Sequence, residues 1–171
     1  MHGLPPPVLL AAVFVVEGLF FLGICALVAS RRPRLVALAR LILGAVFALY
    51  GVVKLTGTQL HHVRSIARLD EISSSQLFWY FFGYSRPYVV LVGLAELAGA
   101  LLLVLPWTRR LGTLAWLAFG VHITVLDFAY DVGPVRFWVL GLTACCVALV
   151  ATDRDAYRRA LASLLGAKEP A

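Results

Sequence analysis

Charge is what this chain lacks most: only 14% of its 171 residues are Asp, Glu, Lys or Arg. Soluble globular domains carry about 25%, so a water-soluble fold is excluded on composition. Cysteine is also scarce. Cys25, Cys145 and Cys146 all lie inside apolar runs with no CxxC pair, whereas a thiol–disulfide relay or a structural zinc site needs paired, accessible thiols. They read as small buried hydrophobes. There is no basic arm with interleaved aromatics, which excludes nucleic acid despite a net charge of +6. No cofactor or nucleophile motif is evident.

What the chain does have is long apolar runs. A bilayer core needs about 20 apolar residues in helix. The candidates are Val8–Ala29, Leu35–Gly57, Pro87–Pro106, Leu111–Tyr130 and Val135–Ala151, with Pro33, Pro87, Pro106 and Pro134 at or beside their ends. The first run lacks a basic leader and a convincing cleavage site, so it reads as a retained span. The basic residues sit between the runs, as membrane orientation requires. Ten fall on one side, among them Arg31, Arg32, Arg34, Arg40, Arg109, Arg110 and Arg154. Five fall on the other: Lys54, Arg64, Arg68, Arg86 and Arg136. The expectation is an integral protein of the plasma or inner membrane, N-terminus outside and C-terminus cytoplasmic.

The fold class is therefore all-α, an integral membrane helix bundle. Residues 1–34 form an additional N-terminal span and a basic loop, 35–151 a four-helix bundle with an outer loop at 58–86, and 152–171 an amphipathic cytoplasmic tail. Within the outer loop, Leu60, Val63, Ile66 and Ala67 alternate loosely with His61, His62, Arg64 and Arg68. The aromatic run Phe78–Phe82 with Tyr84 suits an interfacial belt or a re-entrant cover. In the tail, Tyr157, Leu161, Leu164 and Leu165 recur at helical spacing opposite Arg154 and Arg158, as for a helix lying on the membrane surface.

Three ionisable residues interrupt the runs near their middles: Glu17, Glu96 and His122. At about 1.5 Å of rise per residue, Glu17 and Glu96 lie roughly 14 Å from the outer ends of their spans and His122 roughly 12 Å. Tyr50 reaches a similar level, and Lys54 and Asp127 lie nearer the outer surface. A charge at such depth costs at least about 2.5 kcal/mol on insertion scales, so these groups are expected to face a protein interior or a wet cavity. Lys54 can snorkel outward, or turn inward to meet Glu96 or Asp127. Such a centre holds helices in register, forms a pocket for a head group, quinone-like molecule or proton, or receives a partner's helix. A metal site is not expected, because the ligands come from three helices without an ExxH pair. Gly93, Ala95, Ala98, Gly99 and Ala100 allow a close helix neighbour.

Arg40-Leu-Ile-Leu-Gly44, Phe47, Gly51 and Lys54-Leu55, followed by Gly83-Tyr84, Gly93-Leu-Ala-Glu96-Leu and Thr108-Arg109, resemble the DoxX-like membrane proteins. The resemblance covers about residues 38–151, and Glu17 lies outside it. It implies a four-helix membrane bundle whose characteristic polar residues are a Lys and a Glu, tied to membrane-associated redox systems. The expected function is an accessory subunit of such a system, with a quinone or lipid in the polar centre and no independent catalytic activity. The alternative is a non-catalytic membrane chaperone or assembly factor that binds partner transmembrane helices; the expected partners are the lipid bilayer and either another membrane protein or further copies of this chain.

Overall fold

A computed structural model describes residues 7–58 and 72–166, with side chains from Val13 onward. His61, His62 and the loose amphipathic pattern around them lie outside the described residues. Among the described residues seven helices follow one another: α1 (Pro7–Ala29), α2 (Pro33–Thr56), α3 (Ser74–Tyr84), α4 (Arg86–Val104), α5 (Arg109–Ala129), α6 (Val135–Thr152) and α7 (Arg154–Leu164). Among the described residues α2, α4, α5 and α6 are long and apolar enough to cross a membrane. The 23 residues of α1 extend about 35 Å at 1.5 Å each.

The helix ends follow local chemistry. Proline opens α2 and α4 in the first turn, where its missing N–H leaves no bond unmade. Gly57 closes α2 in the left-handed region at φ 74°, a conformation glycine adopts without penalty. Ser73 and Gln76 exchange hydrogen bonds across the start of α3, a capping box. The aromatic run is thus a short helix against the start of α4 rather than a loop.

Contacts along the bundle fix helix directions. Gly44 lies beside Val104 and Ala100, Gly51 beside Gly93 and Leu97, and Arg86 donates to the carbonyls of Lys54 and Leu55 at 3.4 and 2.6 Å. Rising numbers in α2 meet falling numbers in α4, so the two are antiparallel. By the same reading α4 and α5 are antiparallel through Gly99–Trp116 and Gly112–Leu103, and α5 and α6 through Gly120–Thr143 and Phe128–Phe137. Phe14–Phe137 and Phe21–Gly141 make α1 parallel to α6.

The chain therefore runs up and down five times, with α3 at one end of the bundle and α7 at the other. Ile24 and Val28 of α1 share one buried core with Leu43, Phe47, Leu103, Trp116, Cys145 and Leu149, so α1 is packed into the bundle. Many apolar side chains elsewhere face outward, among them Leu22, Leu49, Leu91 and Val125, as a surface bathed in lipid requires.

Candidate functional site

Two glycines let α2 and α4 approach closely. A Cβ on Gly51 would meet the Gly93 carbonyl oxygen at 2.8 Å, and one on Gly93 would meet the Gly51 oxygen at 3.0 Å. Side chains in a helix lean toward its N-terminus. In an antiparallel pair, residues just beyond such a crossing point lean toward each other. Lys54 and Glu96, each three positions past its glycine, do so: Lys54 Nζ donates to Glu96 Oε1 at 2.8 Å. Both are buried, Lys54 at 7% and Glu96 at 5% exposure.

Above this pair opens a cavity of about 80 Å³, room for several waters or one flat ring. Lys54, Glu96, Tyr50 and Asp127 line it, with aromatic walls from Phe47 and Trp116 on one side and Phe78, Trp79 and Phe82 of α3 on another. The Lys54 ammonium lies 5.4 Å from the centre of the Tyr50 ring, within cation–π range. Phe47 and Trp116 are stacked with centroids 3.6 Å apart. Asp127 is only 2% exposed and lies within electrostatic reach of Lys54. Glu96 Oε2 and Asp127 Oδ2 are buried without a hydrogen-bond partner among the described residues.

The structure thus brings together Tyr50, Lys54, Glu96 and Asp127. It does not bring His122 to them. The pairings above put His122 near the level of Tyr50 and Lys54, but its side chain is exposed. The face of α5 that packs inward carries Thr113, Trp116, Gly120, Thr124 and Asp127, and at 100° per residue His122 points almost directly away from it. Its expected place in the polar centre is corrected to the outer surface. Glu17 is half-buried, and it does not line the cavity. Small residues expected to receive a partner helix are used internally: Gly93 against Gly51, and Gly99 against the Trp116 indole.

A second polar centre, which the sequence reading counted among loop charges, lies at the α7 end. Arg40 is 4% exposed. It donates through Nη1 to Thr113 Oγ1 at 2.6 Å and the Arg109 carbonyl at 3.1 Å, and through Nη2 to Asp153 Oδ2 at 2.8 Å. Tyr157 of α7 donates to the Arg110 carbonyl at 2.9 Å, and burial pushes its hydroxyl above the ordinary tyrosine value. Arg40 reaches α5 and the α6–α7 junction, and Tyr157 joins α7 to α5, so this cluster fastens α2, α5, α6 and α7. The available signal was its position, several residues inside the second apolar run.

Comparison with known proteins places the chain in a family. A family described as "Methylamine utilisation protein MauE" matches residues 32–130. That segment contains Tyr50, Lys54, Glu96 and Asp127, and it covers more than half of the chain. "Uncharacterized protein YwoB" of Bacillus subtilis (strain 168) is 28% identical over 118 residues, which make up 69% of this chain and 77% of that protein. No solved structure matches. The matching family is MauE and not the DoxX-like proteins, so what stands of the resemblance is its coarser content, a multi-pass membrane protein with an accessory role.

Proposed function

The chain belongs to the MauE family of polytopic membrane proteins, and from that premise we propose that it serves a membrane-associated redox system as an accessory subunit, its cavity taking a quinone-type ring. One observation carries this reading. Two buried carboxylate oxygens, Glu96 Oε2 and Asp127 Oδ2, lack partners among the described residues, and both residues line an otherwise aromatic cavity beside an ammonium. Unpaired buried acceptors cost about 1–3 kcal/mol each, a cost a ligand that hydrogen-bonds them removes. Pockets of this kind, mostly apolar with a few placed polar groups, are the usual form of small-molecule sites.

A ring of the quinone–quinol type suits both components. Its faces stack on Trp116, Phe47 or Trp79, a carbonyl oxygen accepts from Lys54, and a hydroxyl of the reduced form donates to the carboxylates. The same Lys and Glu carry the DoxX-like resemblance, so distant kinship with that group is part of the proposal. From the family description we take only an accessory role in a larger system. The basic residues favour an N-terminus outside, with α7 and the Arg40 cluster on the cytoplasmic side of the plasma or inner membrane. The internal use of Gly93 and Gly99 removes one of the two observations that had favoured an assembly factor gripping foreign helices, the other being the lack of a cofactor or nucleophile motif.

Titrating the purified protein with a short-chain benzoquinone, followed by tryptophan fluorescence, tests the site. Saturable quenching is expected, and it should be lost in Lys54→Ala and Glu96→Ala variants that retain the wild-type helical content. Absent or non-saturable quenching overturns the reading, as does binding unchanged in both variants.

A further inference from the structure

Resting on the quinone reading, we propose that the pocket selects its ligand as a hydrogen-bond donor: the reduced, dihydroxy ring in preference to the oxidised one. The polar lining is rich in acceptors. Two carboxylates, Glu96 and Asp127, share one ammonium, Lys54, and an ionised carboxylate only accepts. Lys54 donates one of its three N–H groups to Glu96 Oε1, and Glu96 Oε2 and Asp127 Oδ2 stay without a partner among the described residues; the unpaired Trp116 Nε1–H lies against Gly99. Thr143, also on the cavity wall, gives its hydroxyl proton to the Val139 carbonyl at 2.9 Å.

The backbone adds to this bias. Asp127 lies in the last turn of α5, which ends at Ala129. The C-terminal end of a helix carries partial negative charge, which adds to the Asp127 carboxylate at this wall, although the last carbonyls, those of Leu126, Asp127 and Phe128, accept from Tyr130, Val132 and Asp131. A quinone carbonyl placed there faces acceptor with acceptor. A quinol hydroxyl donates to the same oxygens, and its second hydroxyl accepts from Lys54 or donates to the remaining carboxylate. Tyr50, half-exposed at the rim, donates or accepts and so does not discriminate. Glu96 and Asp127 are 5% and 2% exposed, which keeps water from levelling the difference. No bond is made or broken: the chain binds and orients the reduced ring, and any oxidation belongs to the system it serves.

The test compares one short-chain benzoquinone with its own quinol, kept reduced under anaerobic conditions, on the purified full chain. Hydrogen bonds to charged groups contribute about 1.5–3 kcal/mol, so the quinol should bind about tenfold tighter or more. Asp127→Leu, which removes an unpartnered acceptor without leaving a charge of the Lys54–Glu96 pair unpaired, should bring the ratio of quinol to quinone affinity close to one. Glu96→Gln keeps an acceptor for Lys54 and should lower the ratio in the same direction. Equal affinities in the wild-type protein, or a preference for the quinone, overturn the donor selectivity and leave the quinone site standing. Binding of neither form overturns the site itself, and this inference with it.

Discussion

Gly51 and Gly93 sit backbone to backbone, so close that a Cβ on either would meet the other's carbonyl oxygen at 3.0 Å or less. That contact sets the spacing of α2 and α4 and with it the reach of Lys54 to Glu96. Gly51→Ala should therefore push the helices apart, at about 1–3 kcal/mol, and Gly93→Ala should do the same. Gly18 and Gly23 on α1 have open space where a Cβ would go, so alanine there should be neutral or stabilising by up to about 1 kcal/mol. Thermal unfolding in detergent separates the two pairs, and equal losses at all four positions would refute the packing argument.

Removing one member of the Lys54–Glu96 pair should cost more than removing both. Lys54→Met strands Glu96 beside Asp127, and losing one partner of a buried ion pair typically costs about 3–5 kcal/mol. The double variant Lys54→Met, Glu96→Leu leaves no stranded charge from the pair, so its loss should fall well below the sum of the singles. Coupling between contacting residues of this kind runs to about 0.5–3 kcal/mol. A chemical-denaturation cycle in mixed micelles gives the number, and additivity would mean that the pair does not interact.

Arg40 reaches three partners at once because a guanidinium is a rigid fork. Arg40→Lys keeps the charge but cannot hold Thr113, the Arg109 carbonyl and Asp153 together. The expected loss is about 1.5–3 kcal/mol, accompanied by faster proteolysis at the junction of α6 and α7. A lysine variant as stable and as protease-resistant as the wild type would show that charge alone suffices there.

Tyr157 makes the docking of α7 sensitive to alkali. Burial is the main cause of its raised hydroxyl value, and the protonated form is the one that donates to the Arg110 carbonyl. Its contribution is complete below the unfolded-state value of about 10 and is lost as pH rises through the higher folded-state value. The far-ultraviolet helical signal of α7 and its resistance to proteolysis should fall over that range in the wild-type protein and stay flat in Tyr157→Phe. A Phe variant that keeps the same alkaline loss would place the titration on another group.

The all-α bundle class was legible in the long apolar runs, and a buried Lys and Glu because ionisable residues inside such runs stand out whatever the fold. The side of the helix they face was not. A membrane helix meets lipid on one side and apolar protein on the other, so hydropathy carries almost no phase, and His122 could be given a depth but not a direction. The phase was present in another signal, the stripe Thr113, Gly120, Thr124 and Asp127 on α5, whose small and polar residues face inward. His122 lies off that stripe. Arg40 was missed for a different reason: near a span end, an inward-pointing arginine and a loop arginine look alike until Thr113 and Asp153 are seen beside it. The capping box of Ser73 and Gln76 could have marked α3 as a helix, and with it the aromatic wall over the cavity.

Photoaffinity labelling with an azido-quinone tests most directly whether the cavity at Lys54, Glu96 and Asp127 is a ligand site. Label should concentrate on peptides carrying Trp79, Trp116 and Phe47, be displaced by unlabelled quinol, and vanish in Lys54→Ala. Label spread evenly over lipid-facing positions such as Leu91 and Val121, undiminished by competitor, would contradict a ligand site between α2, α4 and α5.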